Sequence, residues 1–176
     1  GGGVAIGDIN NDGLADVFFT SNQGSNKLYL NKGNFKFDDI SKKSGIEGKK
    51  AWSTGVVMVD INADGFLDIF VCDAGSNIDA IRKSQLYVNN GNSTFTERAA
   101  EYNLADTGIT THAAFFDYDK DGDLDMYLLN HAVHNSRSYD RVNTRMLKDN
   151  EAGDYLYRND NGKFTDVSKE AGIYQA

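Results

Sequence analysis

Residues 59–71 read Val59-Asp60-Ile61-Asn62-Ala63-Asp64-Gly65-Phe66-Leu67-Asp68-Ile69-Phe70-Val71, a nine-residue acidic loop set between two apolar runs. The same stretch returns as GDINNDGLADVFF from Gly7 and as FDYDKDGDLDMYL from Phe116. With Asp8, Asp60 and Asp117 aligned, the copies are offset by 52 and 57 residues. A second element follows each copy: KLYLNKGNFKF from Lys27, QLYVNNGNSTF from Gln85 and YLYRNDNGKF from Tyr155. Its anchors are Tyr29, Tyr87 and Tyr157, each followed by a glycine and then by Phe37, Phe95 or Phe164. Self-similarity at a fixed spacing marks a repeat architecture, in which one supersecondary unit recurs.

Each unit reads as four short strands. In the second, Gly55 to Val59 precedes the loop and Ile69 to Cys72 follows it; Leu86-Tyr87-Val88 and Thr94 to Glu97 come next. Apolar runs of four or five residues bounded by turns are the pattern of strands buried on both faces. The 18 glycines and the absence of proline agree with many tight turns. Four antiparallel strands per unit make a propeller blade. The expected fold is therefore all-β, with three four-stranded blades at residues 1–50, 51–108 and 109–176 of one propeller domain. Closed propellers take about 4–8 blades, so the chain reads as a fragment of a larger, roughly seven-bladed ring. Short stretches such as Val167 to Ala171 read as helical turns between blades, and no long amphipathic helix appears.

The loops follow D-x-[DN]-x-D-G-x-x-D. Their side-chain oxygens come from Asp8, Asn10, Asp12 and Asp16, from Asp60, Asn62, Asp64 and Asp68, and from Asp117, Asp119, Asp121 and Asp125. Alternate oxygens converge when the chain curls, glycine at position six permits the sharp turn, and the carbonyl at position seven (Leu14, Phe66 or Asp123) adds a further donor. Oxygen donors without His or Cys select Ca²⁺ over zinc or copper, which gives about three structural ions per chain. One such loop is equally well an acidic turn that binds nothing; three in register argue for metal, because crowded carboxylates repel unless a cation neutralises them. An EF-hand needs an acid at position twelve, where this chain has Phe19, Val71 and Leu128.

These loops, with the L-Y-x-N…G…F element, resemble the FG-GAP or VCBS repeat family, whose best-known members are the integrin α-subunit propellers. The third repeat, with DMYLLNHAVHN and AGDYLYRNDNGKFTDVSKEAGI, is similar to bacterial VCBS-repeat proteins of the cell surface. The resemblance implies blade hairpins that hold structural Ca²⁺ through the Asp and Asn residues named above. It implies a secreted or surface-attached, bacterial, outer-membrane-associated protein. The Phe-Gly…Gly-Ala-Pro signature of the integrins is missing, so cell-matrix adhesion does not carry over.

Net charge and cysteine usage narrow the partners. A formal charge of −8 excludes a phosphate-binding face, and hence nucleic acid. No apolar run reaches the ~18 residues of a membrane helix. Cys72, the single cysteine, forms no internal disulfide and reads as a small buried hydrophobe. The expected role is a non-catalytic binding or scaffold module for a glycan or protein ligand, joined to the rest of its parent propeller. The alternatives are a polysaccharide lyase acting on acidic glycans and a purely structural subunit.

The connection from the ninth-position Asp to the Tyr anchor varies most between repeats, and it emerges on the face opposite the acidic loops. In the third repeat it carries an insertion, residues 131–154, with His131, His134, Arg137, Tyr139, Arg141 and Arg145. Arg137, Arg141 and Arg145 share a helical face if the segment is helical, which suits a carboxylate or sulfate of an acidic glycan. The simpler reading is a solvated loop whose charges pair with Asp140, Asp149 and Glu151. His112 stands where the other repeats have Gly3 and Gly55, on the innermost strand, and reads as a packed side chain, with lining of the central channel as the alternative. Trp52 reads as packing between blades, with sugar stacking as the alternative.

Overall fold

The computed structural model describes residues 2–48, 52–75, 82–131 and 153–173. They form three four-stranded antiparallel sheets, each running in chain order. The first holds β1 (Val4–Gly7), β2 (Asp16–Phe19), β3 (Lys27–Asn31) and β4 (Phe37–Asp39). The second holds β5 (Ser53–Val59), β6 (Asp68–Asp73), β7 (Gln85–Asn89) and β8 (Phe95–Glu97). The third holds β9 (Thr110–Phe116), β10 (Asp125–Asn130), β11 (Tyr155–Asn159) and β12 (Phe164–Asp166). These are propeller-type blades, as the repeats predict.

β6 is buried along its whole length, as its unbroken apolar run requires. The sheets stack face to face through two apolar layers. Ala5, Phe18, Leu28 and Ile46 of the first unit meet Val56, Ile69, Val71 and Tyr87 of the second. Phe70, Cys72, Leu86 and Leu104 of the second meet Met126, Leu128, Tyr157 and Phe164 of the third. Full burial of each such side chain is worth about 1.5–3 kcal/mol, so the interfaces carry much of the stability.

The inner strands, the first of each sheet (β1, β5 and β9), approach one another closely. The Thr20 hydroxyl donates to the Thr54 carbonyl at 2.7 Å, and the Thr54 hydroxyl to the Thr110 carbonyl at 2.6 Å. Glycine makes this approach possible: a Cβ on Gly55 would stand 2.3 Å from the Thr111 carbonyl oxygen. The antiparallel order puts the β1–β2, β5–β6 and β9–β10 loops at one end of the stack. The β2–β3, β6–β7 and β10–β11 connections lie at the other.

A helical turn follows the first sheet as α1 (Ser41–Ser44), closed by Gly45 at φ 81°, and the expected turn at Val167 to Ala171 follows the third, with Ala171 N–H donating to the Val167 carbonyl at 2.9 Å. Two local expectations are corrected. His112 is exposed rather than packed; it lies beside Gly55 of β5, its Nδ1 3.1 Å from where a Cβ on that glycine would stand. Trp52 is half-exposed, flanking Gly75 rather than filling the interface. Cys72 is fully buried.

Candidate metal centre

The three acidic loops share one backbone conformation. Position six is left-handed at Gly13 (φ 83°), Gly65 (φ 87°) and Gly122 (φ 100°), and position four at Asn11, Ala63 and Lys120. Two left-handed residues curl the chain so that its N–H groups turn inward onto the acidic side chains. Asp8 accepts from Gly13 N–H at 2.7 Å and Asp60 from Gly65 N–H at 2.9 Å. Asp117 accepts from Lys120 N–H at 2.7 Å. At position five, Asp12, Asp64 and Asp121 each accept the N–H two residues on, at 2.9 Å. Burial pushes the Asp8 carboxyl up, but the N–H groups of Gly13, Asp12, Asn10 and Asn11 outweigh it and hold the group below its ordinary value.

Position nine behaves differently. Asp16, Asp68 and Asp125 are fully buried at the start of the second strand of each sheet. Each uses both oxygens on backbone N–H groups: Asp68 takes Ile61 at 3.1 Å and Asn89 at 2.7 Å. Asp16 takes Ile9 and Asn31, and Asp125 takes Tyr118 and Asn159. Desolvation pushes Asp68 up to about 6, against the two N–H bonds and with help from the Asp64 and Asp60 charges. These aspartates fasten the loop to the third strand. The fastening residues Asn31, Asn89 and Asn159 escaped the site reading, although the Asn of L-Y-x-N marks them in the sequence.

Asp117, Asp119 and Asp125 each bring one oxygen within 4.8 Å of the others. Desolvation and the neighbouring Asp121 charge raise the Asp119 carboxyl, the signature of crowded anions. The donor set is all oxygen, the chemistry of a hard divalent cation. The first two loops have an amide at position three, and Asn10 and Asn62 donate to Asp12 and Asp64 at 3.0 and 2.9 Å. Their carboxylates do not gather as the third loop's do among the described residues. Asp123, expected to offer its backbone carbonyl, turns its side chain to the third sheet's last turn, where it accepts from Asn161 N–H at 2.8 Å.

At the opposite end, His131 is exposed, its backbone N–H bonded to the Ile109 carbonyl at 2.8 Å. His134, Arg137, Tyr139, Arg141 and Arg145 lie outside the described residues. Asp154, which ends the insertion, accepts from Asn130 N–H at 3.0 Å and from the Tyr127 hydroxyl at 3.1 Å.

Stacked four-stranded blades with an acidic glycine loop in each first hairpin define a class of propeller repeats. An FG-GAP-like repeat family matches residues 8–71 and 74–128, and the chain belongs to that family. It is 32% identical over 131 residues to Cartilage acidic protein 1 of Xenopus tropicalis, covering 74% of this chain and 20% of that protein. It is 35% identical over 69 residues to the Mus musculus protein of the same name, covering 39% of this chain and 11% of that protein. The chain thus spans a fifth or less of the curated relatives it matches. All are animal proteins, and the expected bacterial origin finds no support among them.

Proposed function

We propose that the chain is a calcium-stabilised, non-catalytic binding module of an extracellular protein. The observation that carries the reading is the oxygen cluster of Asp117, Asp119 and Asp125, held in a loop whose backbone recurs three times. Residues with the same spacing in the first two loops complete about three sites. A bound divalent cation removes the mutual repulsion of the carboxylates and fixes each hairpin against its sheet. The relatives are named for cartilage and for acidity, which supports an extracellular setting. Among the described residues no helix is long and apolar enough to cross a membrane. The module's partners are a glycan or protein ligand at the end opposite the loops, and further sheets of its parent protein on its open faces.

The test is metal content with thermal unfolding in calcium and in chelator. About three Ca²⁺ per chain and a large chelator-induced drop are expected. Metal-free protein with an unchanged midpoint would reduce the loops to acidic turns.

A further inference from the structure

We infer that Asn92 is an acceptor for N-linked glycosylation, taking an oligosaccharide from a lipid-pyrophosphate donor onto its side-chain amide nitrogen. The inference rests on the reading of the chain as part of an extracellular protein and goes beyond it to a covalent modification site. Among the asparagines of the chain, only Asn92 is followed two residues on by a serine or threonine, in Asn92-Ser93-Thr94. That triplet, with no proline at its centre, is the pattern an N-glycosyl transferase requires, and its acceptor belongs on a surface loop.

The fold puts it on one. Asn92 lies in the turn between β7 and β8, and it is exposed. The second sheet is packed by the first on one face and by the third on the other. The turn thus stays open with both faces of its sheet covered, and further sheets stacked on the outer two do not reach it.

Hydrogen bonding occupies one end of the amide and frees the other. Asn92 Oδ1 accepts from the Thr94 N–H at 3.1 Å and from the Thr94 hydroxyl at 2.6 Å. That hydroxyl in turn accepts from Asn90 Nδ2 at 3.0 Å. Asn92 Nδ2 makes no hydrogen bond among the described residues. In the transfer, Nδ2 bonds to C1 of the first sugar and the bond from C1 to the pyrophosphate oxygen breaks. The lipid pyrophosphate leaves with the electron pair, and one amide proton goes to a base of the transferase. The product keeps Oδ1 as an acceptor, so both bonds from Thr94 survive and the glycan breaks no contact of the fold.

The matching turns of the other sheets lack the motif. Asn34 and Asn161 are exposed in the β3–β4 and β11–β12 turns, but Lys36 and Lys163 stand two residues on. The Asn92 turn lies at the end that carries the acidic loops: a Cβ on Gly91 would stand 3.4 Å from the ring of Phe66, position seven of the second loop. A glycan there shields that end and leaves the opposite end free for partners.

The test secretes the full chain from animal cells behind an export signal and maps its peptides by mass spectrometry, with and without peptide N-glycosidase. The peptide with Asn92 carries a glycan, and those with Asn34 and Asn161 carry none. Thr94→Ala and Asn92→Gln abolish the glycan, and Thr94→Ser, which keeps the hydroxyl, retains it. Calcium content is the same in the glycosylated chain and in Asn92→Gln. Secreted chain without a glycan on Asn92, or a glycan that persists in Thr94→Ala, overturns the inference. Unglycosylated chain that still binds calcium removes the glycan site alone. Finding the parent protein inside its own cells removes the extracellular setting and leaves the acceptor chemistry.

Discussion

Asp68 and Asn89 hold each other at the base of the second sheet. The Asp68 carboxylate accepts the Asn89 backbone N–H at 2.7 Å, and the Asn89 side-chain amide donates back to the Leu67 carbonyl at 3.1 Å. The same reciprocal pair recurs as Asp16 with Asn31 and as Asp125 with Asn159. Of the three asparagines, Asn89 alone also reaches the neighbouring unit, donating to the Ile9 carbonyl in the first acidic loop at 2.9 Å. The second pair therefore fastens both a loop and an interface.

Truncating that amide separates the two roles. Asn89→Ala leaves buried carbonyls of two units unpaired and should cost about 3 kcal/mol, whereas Asn31→Ala, at a half-buried site within one sheet, should cost about 1 kcal/mol. Urea unfolding of both variants in calcium measures the difference. Equal losses would mean that the contact to Ile9 adds nothing.

Calcium removal should act loop by loop. At free calcium one hundredfold above Kd, each site adds about 2.7 kcal/mol, and in a domain of this size each kcal/mol moves the midpoint about 2–4 °C. Losing one ion should then lower the midpoint by about 5–10 °C. Asp119→Ala, which breaks the gathered cluster of the third loop, should lower both the ion count by one and the midpoint by that amount. An unchanged count would place the third loop outside the metal sites.

Much of the fold was legible because its signals are local. The apolar runs around each acidic loop became β1 and β2, β5 and β6, and β9 and β10, and the Tyr and Phe anchors fell in the third and fourth strands. Exposure was less legible, since it depends on what covers a face. His112 and Trp52 look like core residues by type, but His112 lies on β9 beside Gly55 of β5 and stays open to solvent, and Trp52 sits at a strand entrance. The cavity of about 520 Å³ between the first two sheets was invisible for another reason. Its lining residues Gly48 and Ser84 come from separate connections, and only the stacking of two sheets brings them together.

Close approach of the inner strands makes a steric prediction. Alanine at Gly55 would place its Cβ 2.3 Å from the Thr111 carbonyl oxygen and 3.0 Å from the His112 Cα, both backbone atoms that cannot step aside cheaply. Gly55→Ala should destabilise by about 3 kcal/mol through overpacking. Gly24→Ala is the control, because its nearest neighbour is the Ser21 hydroxyl oxygen at 3.4 Å. Chemical denaturation giving similar values for the two would show that the sheets slide apart at little cost.

Acid should loosen the first sheet at a definite place. The Ser41 hydroxyl, then the Lys27 ammonium and the Ser41 N–H, lower the Asp39 carboxyl from 3.8 to about 2. The folded value lies below the unfolded one, so the stabilisation is present above about pH 4 and is lost as pH falls toward 2. Carboxyl NMR should report a midpoint near 2 for Asp39, and Ser41→Ala should raise it more than Lys27→Met. A wild-type midpoint near 3.8 would contradict the hydrogen-bonded geometry.

The first sheet leaves bare the face that its counterparts bury. Pairing aligns Val4 with Phe19 and Ile6 with Val17 on the first sheet as it aligns Val56 with Val71 and Met58 with Ile69 on the second. Val56, Ile69 and Val71 lie in the layer against the first sheet, while Val4, Ile6 and Phe19 are exposed. Phe37 is 41% exposed, against 7% for Phe95 and 2% for Phe164 at the matching positions. A contiguous apolar face of this kind seeks cover, and the internal interfaces show that another sheet of the same repeat fits it. The isolated chain should therefore self-associate with rising concentration, and the double substitution Ile6→Glu with Phe19→Glu should return it to a monomer without lowering its calcium content. Light scattering across a concentration series measures this. An unsubstituted chain that stays monomeric throughout would mean that the exposed face is too small or too strongly twisted to pair.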